Sequence, residues 1–428
     1  LFFHGSQRSW LCTTDIETIF PKNVPKMQKR KSAMANSTRR EFLERILKTS
    51  AAGAAIGFQG TSILTTLLSC SGQSESEPLK GGNFVRTVAF VGESNLPANK
   101  MFFQGLNGRK FFDLATVKEN GQITPTEQFF IRTGPPQLPE LLVSWSVQVK
   151  PELGRGKAVP IGQLIPAVAP MGAHLIECAG NDRPAHFGLM SVANWGGIPL
   201  VEVLKKWNFS KNRLIKVAGF DKHTGTPHGS VEGASWVFTY EQLEQTGAFL
   251  ATQMNGADLP VEHGAPARLI VPGWYACTHF KWLSEISGVP DNEPPTSQMM
   301  EFASRTNQNG EPKLAKDFSP ANVDFVAMPV RVEQWQVGTK TKYLVAGISW
   351  GGTKSPEALM IRFNNKSEYV PVKAFQHSAL ATWSVWSHVW TPKAPGRYRI
   401  QLRVNDRTVP TRKMGVGYYA RKVDIPSV

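Results

Sequence analysis

With 428 residues, 41% hydrophobic and 19% charged, the chain has a globular composition and is long enough for two domains. Its formal charge is +15; residues 1–69 hold ten Lys/Arg against four Asp/Glu, and the remainder carries an excess of +9. Such a body attracts an anionic substrate or an acidic protein partner, while the lack of a Lys/Arg tract with interleaved aromatics argues against nucleic acid.

Residues 1–33 show no hydrophobic periodicity, and Met27 and Met34 stand just ahead of a paired arginine. Translation is expected to start at one of these methionines, leaving 1–33 as an over-extended gene start. In Ser37-Thr38-Arg39-Arg40-Glu41-Phe42-Leu43 the pair precedes an apolar run over 50–68, the pattern of a twin-arginine export signal. The competing structure is an amphipathic helix, which Gly53, Gly57 and Gly60 oppose at roughly 1 kcal/mol each relative to alanine. The run closes on Leu67-Leu68-Ser69-Cys70, similar to a lipoprotein cleavage box. Residues 34–70 therefore read as a signal peptide, with either a lipid on Cys70 or ordinary cleavage nearby. A polar linker of disorder-prone composition follows over 71–83. The expected location is periplasmic, free or anchored to the membrane through Cys70. Because the twin-arginine route carries folded proteins, often already loaded with a cofactor, it raises the expectation of a redox group.

From 84 to 290 strands and helices mix in an α+β layout. Pro199 opens a helix whose apolar residues Leu200, Val203, Leu204 and Trp207 share one face, and 214–220 and 267–271 are short β-prone runs. No GxGxxG occurs, so a dinucleotide fold is unsupported. In Ala173-His174-Leu175-Ile176-Glu177-Cys178-Ala179-Gly180-Asn181-Asp182-Arg183-Pro184 a strand ends at a thiol and breaks into a loop. Arg183 offers positive potential that favours the thiolate, against the simpler possibility of a buried cysteine acting as a small hydrophobe. The four cysteines (Cys12, Cys70, Cys178, Cys277) form no CxxC, no haem-attachment motif and no zinc spacing. A Cys178–Cys277 disulfide stays open. Residues 291–319 are a polar connection. Over 320–428 only strands are expected, at 343–350, 358–364, 382–390 and 397–404, the last alternating strictly between apolar and polar residues. Short strands separated by turns indicate an all-β, immunoglobulin-like sandwich suited to packing and association.

Four blocks in order resemble the sulfite oxidase family of molybdenum enzymes across nearly all of 84–428. They are Phe129-Phe130-Ile131-Arg132; Glu177-Cys178-Ala179-Gly180-Asn181-Asp182-Arg183 with Ala193-Asn194-Trp195-Gly196-Gly197; Gly219-Phe220-Asp221; and Met254 to Arg268, running into Val271-Pro272-Gly273 and His279-Phe280-Lys281-Trp282-Leu283. The resemblance implies an α+β molybdopterin-binding domain followed by the β-sandwich as a dimerisation-type domain, and hence a homodimer. It further implies that Cys178 binds molybdenum through sulfur, which suits a metal already held by sulfur. Phe130, Arg132, Asp221, His263, Arg268, His279, Phe280 and Lys281 match positions that hold the molybdopterin. Arg132 and Arg183 match positions lining an anion pocket, where a guanidinium forks onto tetrahedral oxyanions. Each alone reads as a solvated charge, turn or core residue; their joint occurrence carries the assignment.

Departures weaken sulfite as the substrate. Asp182 stands where family sulfite oxidases carry the first arginine after Asn, and the family's active-site tyrosine has no counterpart, Phe302 being the nearest aromatic. A further pocket arginine is expected from Arg412 or Lys413. No haem motif is present, so electrons must leave to a separate protein such as a cytochrome. The expected activity is oxygen-atom transfer to or from a small sulfur compound or oxyanion. The rivals are a sulfoxide-type reductase using the same site, a non-catalytic surface-binding lipoprotein, and a cysteine hydrolase for which no histidine base stands out.

Overall fold

The computed structural model describes residues 79–426, apart from 94–96, 103–107, 119–120, 137–143, 153–154, 185, 222–232, 311, 374, 376–380 and 413–417. The twin-arginine segment, Cys70 and Lys413 lie outside the described residues. Residues 73–428 form one compact unit. It is mostly β, with few and short helices.

Two sheets build the front of this unit. In the first, Ala169–Glu177 pairs antiparallel with Met190–Pro199, which pairs with Phe249–Met254; Arg268–Ile270 also joins the last strand. The Asn255-Gly256 turn closes Phe249–Met254 onto Ala257–Asp258, both residues taking the positive φ that a two-residue hairpin requires (52° and 81°). In the second sheet the order is Arg155–Pro160, Ser146–Glu152, Leu283–Val289, Leu214–Gly219 and Ser235–Phe238. Its Ser146–Glu152 and Leu283–Val289 strands run parallel. The helix expected after Pro199 spans Leu200–Lys206 and buries Leu200, Val203 and Leu204 on its apolar face.

Beyond residue 320 two four-stranded sheets follow. One runs Asn83–Thr87, Val326–Val337, Lys340–Trp350 and Ser384–Trp390; the other runs Val370–Pro371, Leu359–Arg362, Gly396–Val404 and Ala420–Ile425. All four strands expected from the sequence are present. The twelve-residue strand Val326–Val337 was not expected, because Pro329 interrupts it. The register shifts between Pro329 and Arg331, placing the proline at a bulge, where its missing N–H is tolerated. Asn83–Thr87 pairs with this strand, and Val91 N–H donates to Lys422 O at 2.8 Å. A segment just past the expected boundary at 84 therefore belongs structurally to the C-terminal sheets. The linker expected over 71–83 likewise ends in buried Leu79 and strand residue Asn83.

The seam between front and back is closed by one carboxylate. Glu177, fully buried, receives Arg412 Nη1 and Nη2 at 2.8 Å each and Trp350 Nε1 at 2.8 Å. Three donors on a desolvated anion make this contact strong, and removing one partner leaves an uncompensated buried charge. Arg412→Ala is expected to lower unfolding free energy by about 3–5 kcal/mol, read as a shift in urea midpoint at constant m.

Candidate active site

Cys178 follows the strand Ala169–Glu177 at the start of the loop that leads to Met190–Pro199. The loop is closed at its base by Cys178 N–H donating to Leu189 O (2.9 Å), and Asn181 braces it by accepting from Leu189 N–H (3.0 Å). The thiol sits in an apolar cluster with Phe129, Phe130, Ile176 and Trp195. Burial raises its pKa, opposed by the Gly180 N–H, which donates to Sγ at 3.3 Å, and by the charge of Arg132 and Arg305. Arg183 is not the cation beside the sulfur. Cys178 and Cys277 are both free thiols and line the same cavity.

That cavity gathers Phe130, Arg132, Asp221, His263, Arg268, His279 and Lys281 around Cys178. The Phe129–Arg132 segment is fixed from both sides. Asn255 Nδ2 donates to Thr124 O (3.0 Å) and Thr126 Oγ1 (2.9 Å), and His263 Nε2 to Thr126 O (3.1 Å). Ile131 forms a two-way backbone bridge with Lys110, which draws Arg109 toward Arg132. Lys281 Nζ donates to the carbonyls of Thr133 and Glu262, and burial, followed by Arg268, pushes its ammonium down to about 7.

Two expected site residues are elsewhere. Phe280 is 2% exposed in the main core, supporting the wall through its carbonyl, which accepts from Leu269 N–H (2.8 Å). Arg183 is exposed and lines a separate hollow with Glu93, Arg399, Arg421 and Lys422, because its loop turns away after Asp182. Nor does Arg412 supply pocket charge, since both its terminal nitrogens are held by Glu177. Phe302 does line the cavity, beside Gln298 and Glu301.

Two guanidiniums that sequence reasoning missed stand in their place. Arg305 closes a turn after the helix Ser297–Phe302, whose start is capped by Thr296, and a Cβ built on Gly180 would meet its Nη1 at 2.4 Å. Arg109 is held near Arg132 and Cys178, and its Nε is buried without a partner. The capping signal Thr296-Ser297-Gln298 was legible within the polar connection; Arg109, on a two-residue strand, left no periodic signal.

The donor set fits a molybdopterin. Arg268 is 5% exposed, and among the described residues it forms no ion pair. One Nη donates to His263 O (2.9 Å), while Nε is buried without a partner. A buried unpaired guanidinium is strongly unfavourable unless an anion meets it, as a phosphate would. His279 Nδ1 and Trp195 Nε1 are buried without partners in the same region. No group of three or more His, Cys, Asp or Glu among the described residues is arranged to hold a metal ion.

Residues 136–297 match the family model of the oxidoreductase molybdopterin binding domain. The chain thus carries a molybdopterin-binding oxidoreductase domain, and over that region it is similar to sulfite oxidases. It is 29% identical to mitochondrial sulfite oxidase of Macaca fascicularis over 170 residues, 36% of this chain and 29% of that protein. It is 28% identical to sulfite oxidase of Gallus gallus over 197 residues, 42% of each. Nitrate reductase [NADH] 1 of Nicotiana tabacum is 26% identical over 189 residues, 40% of this chain and 21% of that one. The matches thus span less than half the length of these relatives. The fold is similar to sulfane dehydrogenase SoxCD from Paracoccus pantotrophus, with a TM-score of 0.57 at 14% identity, covering 89% of this chain and 99% of that one. The matched domain contains Cys178, Asp221, His263, Arg268, His279 and Lys281, but Phe130, Arg132, Arg109 and Arg305 lie outside it.

Burial, reinforced by Arg268, pushes both His263 and His279 down to about 3, so each imidazole is neutral at pH 7. The unfolded chain takes up these protons near 6.5 and the folded chain only near 3. Their stabilisation is therefore complete above pH 6.5 and lost as pH falls toward 3. At pH 4 the loss should be on the order of 3 kcal/mol per imidazole, and His263→Gln should remove its share of the slope in urea titrations from pH 7 to pH 4. Separately, Gly180→Ala should displace Arg305 and weaken sulfate binding about tenfold by calorimetry, the worth of one charge-assisted hydrogen bond.

Proposed function

We propose that this chain catalyses oxygen-atom transfer to a small sulfur compound or oxyanion, passing the electrons to a separate acceptor protein. The observation that carries it is the placement of Arg109, Arg132 and Arg305 near the buried Cys178 thiol. Cys178 would ligate molybdenum, while Arg268, Lys281, His263, His279, Asp221 and Phe130 would hold the pterin and its phosphate. When bound, the group supplies the two-electron redox chemistry and the oxo transfer. The chain's own contribution is electrostatic and steric. Arg132 and Arg305 orient an anion through fixed donors, Phe302 and Phe129 exclude water, and neutral His263 and His279 add no charge that would compete with Arg268 for the phosphate.

Phe302, lacking a hydroxyl, and Asp182, in place of an arginine, leave the substrate open beyond sulfite itself. The C-terminal sheets support an immunoglobulin-like association module and favour an oxidase-type enzyme over a sulfoxide reductase. The signal over 34–70 supports export to the periplasm, with a lipid on Cys70 as the anchor.

Protein purified from a molybdopterin-competent host should contain about one molybdenum per chain, and Cys178→Ser should abolish turnover while retaining the pterin. Sulfite or a related sulfur oxyanion with ferricyanide should turn over, and reduced viologen with a sulfoxide should not. Protein that folds without metal from such a host overturns the enzyme assignment, and faster sulfoxide reduction reverses its direction.

A further inference from the structure

The hollow that holds Arg183 is apart from the Cys178 cavity and has a volume of about 340 Å³. Its cations are Arg183, Arg399, Arg421 and Lys422, and its one acidic lining residue is Glu93. Glu93 is already committed to Arg421, whose Nε donates to it at 2.7 Å. Among the described residues, the side chains of Arg183, Arg399 and Lys422 have neither an ion pair nor a hydrogen bond.

The sheet itself places these charges together. Arg399 lies directly opposite Lys422 in the ladder of Gly396–Val404 with Ala420–Ile425, and like charges so placed weaken a sheet. Two residues along the same face, Arg397 lies opposite Asp424 and pairs with both its oxygens, at 2.8 and 2.9 Å. One position of the ladder is neutralised and the next is left repulsive, which folding alone does not favour. A second hollow of about 300 Å³ adjoins it, shares Arg399 and Lys422, and adds Lys366. Arg183, Lys422 and Lys366 are exposed.

We propose that this strip is the docking surface for an acidic protein partner. A single small oxyanion is held by donors converging on one enclosed point, whereas these cations are spread along two joined hollows at the surface, matching a row of carboxylates. The strip begins five residues after Cys178. Asn181 N–H donates to Cys178 O (2.9 Å), Tyr418 hydroxyl donates to Asn181 O (2.6 Å), and the Tyr418 ring lies 4.8 Å from Phe187, which lines the hollow. That the partner is the electron acceptor rests on the function proposed above; the docking itself does not.

The test is an anisotropy titration of a fluorescein-labelled polyglutamate peptide against the whole protein at low and high salt. Arg399→Glu/Lys422→Glu should weaken binding by at least about tenfold and flatten its salt dependence. Arg399→Gln/Lys422→Gln should fall between that variant and the wild type and guard against misfolding. Arg155→Glu/Lys205→Glu, an equal charge change at exposed positions on other elements, should bind as the wild type does. Equal losses in both charge reversals, unchanged binding in the first, or displacement of the peptide by the phosphate concentration that saturates the protein would each overturn the proposal. So would tighter binding of an oligonucleotide of equal charge. Since no turnover is read, failure here and failure of the proposed chemistry are distinguishable.

Discussion

Glu177, a carboxylate shielded from water, stands immediately before the thiol on which the site is built, and it is held by Arg412 and Trp350 from the C-terminal segment. A buried anion tolerates no loose geometry, because each unsatisfied lone pair is penalised in a low-dielectric surrounding. The strand end that presents Cys178 is therefore fixed by contacts from residues more than 170 positions away. Asn181 continues the constraint into the loop, donating to Glu177 (3.3 Å) and accepting Tyr418 through its carbonyl. The back of the molecule is part of the site's support, beyond any role in association.

The cavity combines two electrostatic regimes. On one side Arg268 and Lys281 are buried cations whose pKa values fall through desolvation, to about 9 and about 7, the signature of groups awaiting an anion. On the other, Arg132 lines the cavity near the sulfur, and Arg109 and Arg305 stand close enough for their charge to act on it. Neutral imidazoles at His263 and His279 each use Nε2 for one backbone carbonyl, that of Thr126 and that of Trp274. Under the proposed function the first group would hold the cofactor and the second would face the substrate, the two being separated by placement of charge.

Much of the front wall was legible because its residues fall in contiguous blocks: Phe130 with Arg132, Cys178 after a β-prone run, and His263 through Lys281. Arg183 shows the limit of such blocks. Its own identity and its place after Cys178 suit an anion pocket, yet the loop turns it toward Lys422 and Arg399. Phe280 shows another limit, since alternation along the chain decides which side chain faces inward, and here it faces the core. Val326–Val337 was hidden by Pro329, which reads as a strand breaker until the bulge beside it is seen.

The sequence by itself determined the local terms: the helix after Pro199, the alternating strand Gly396–Val404 and the thiol at a strand's end. These follow from side-chain periodicity and backbone preference, which act over a few residues. Only the tertiary structure decided which arginines reach the sulfur and which are consumed elsewhere. Arg305 arrives from the polar connection and Arg109 through a two-residue bridge, while Arg412 is taken by Glu177 and Arg183 by another surface. A guanidinium's role depends on the charge it meets within a few ångströms, and that distance is set by packing between distant segments, which no local pattern encodes.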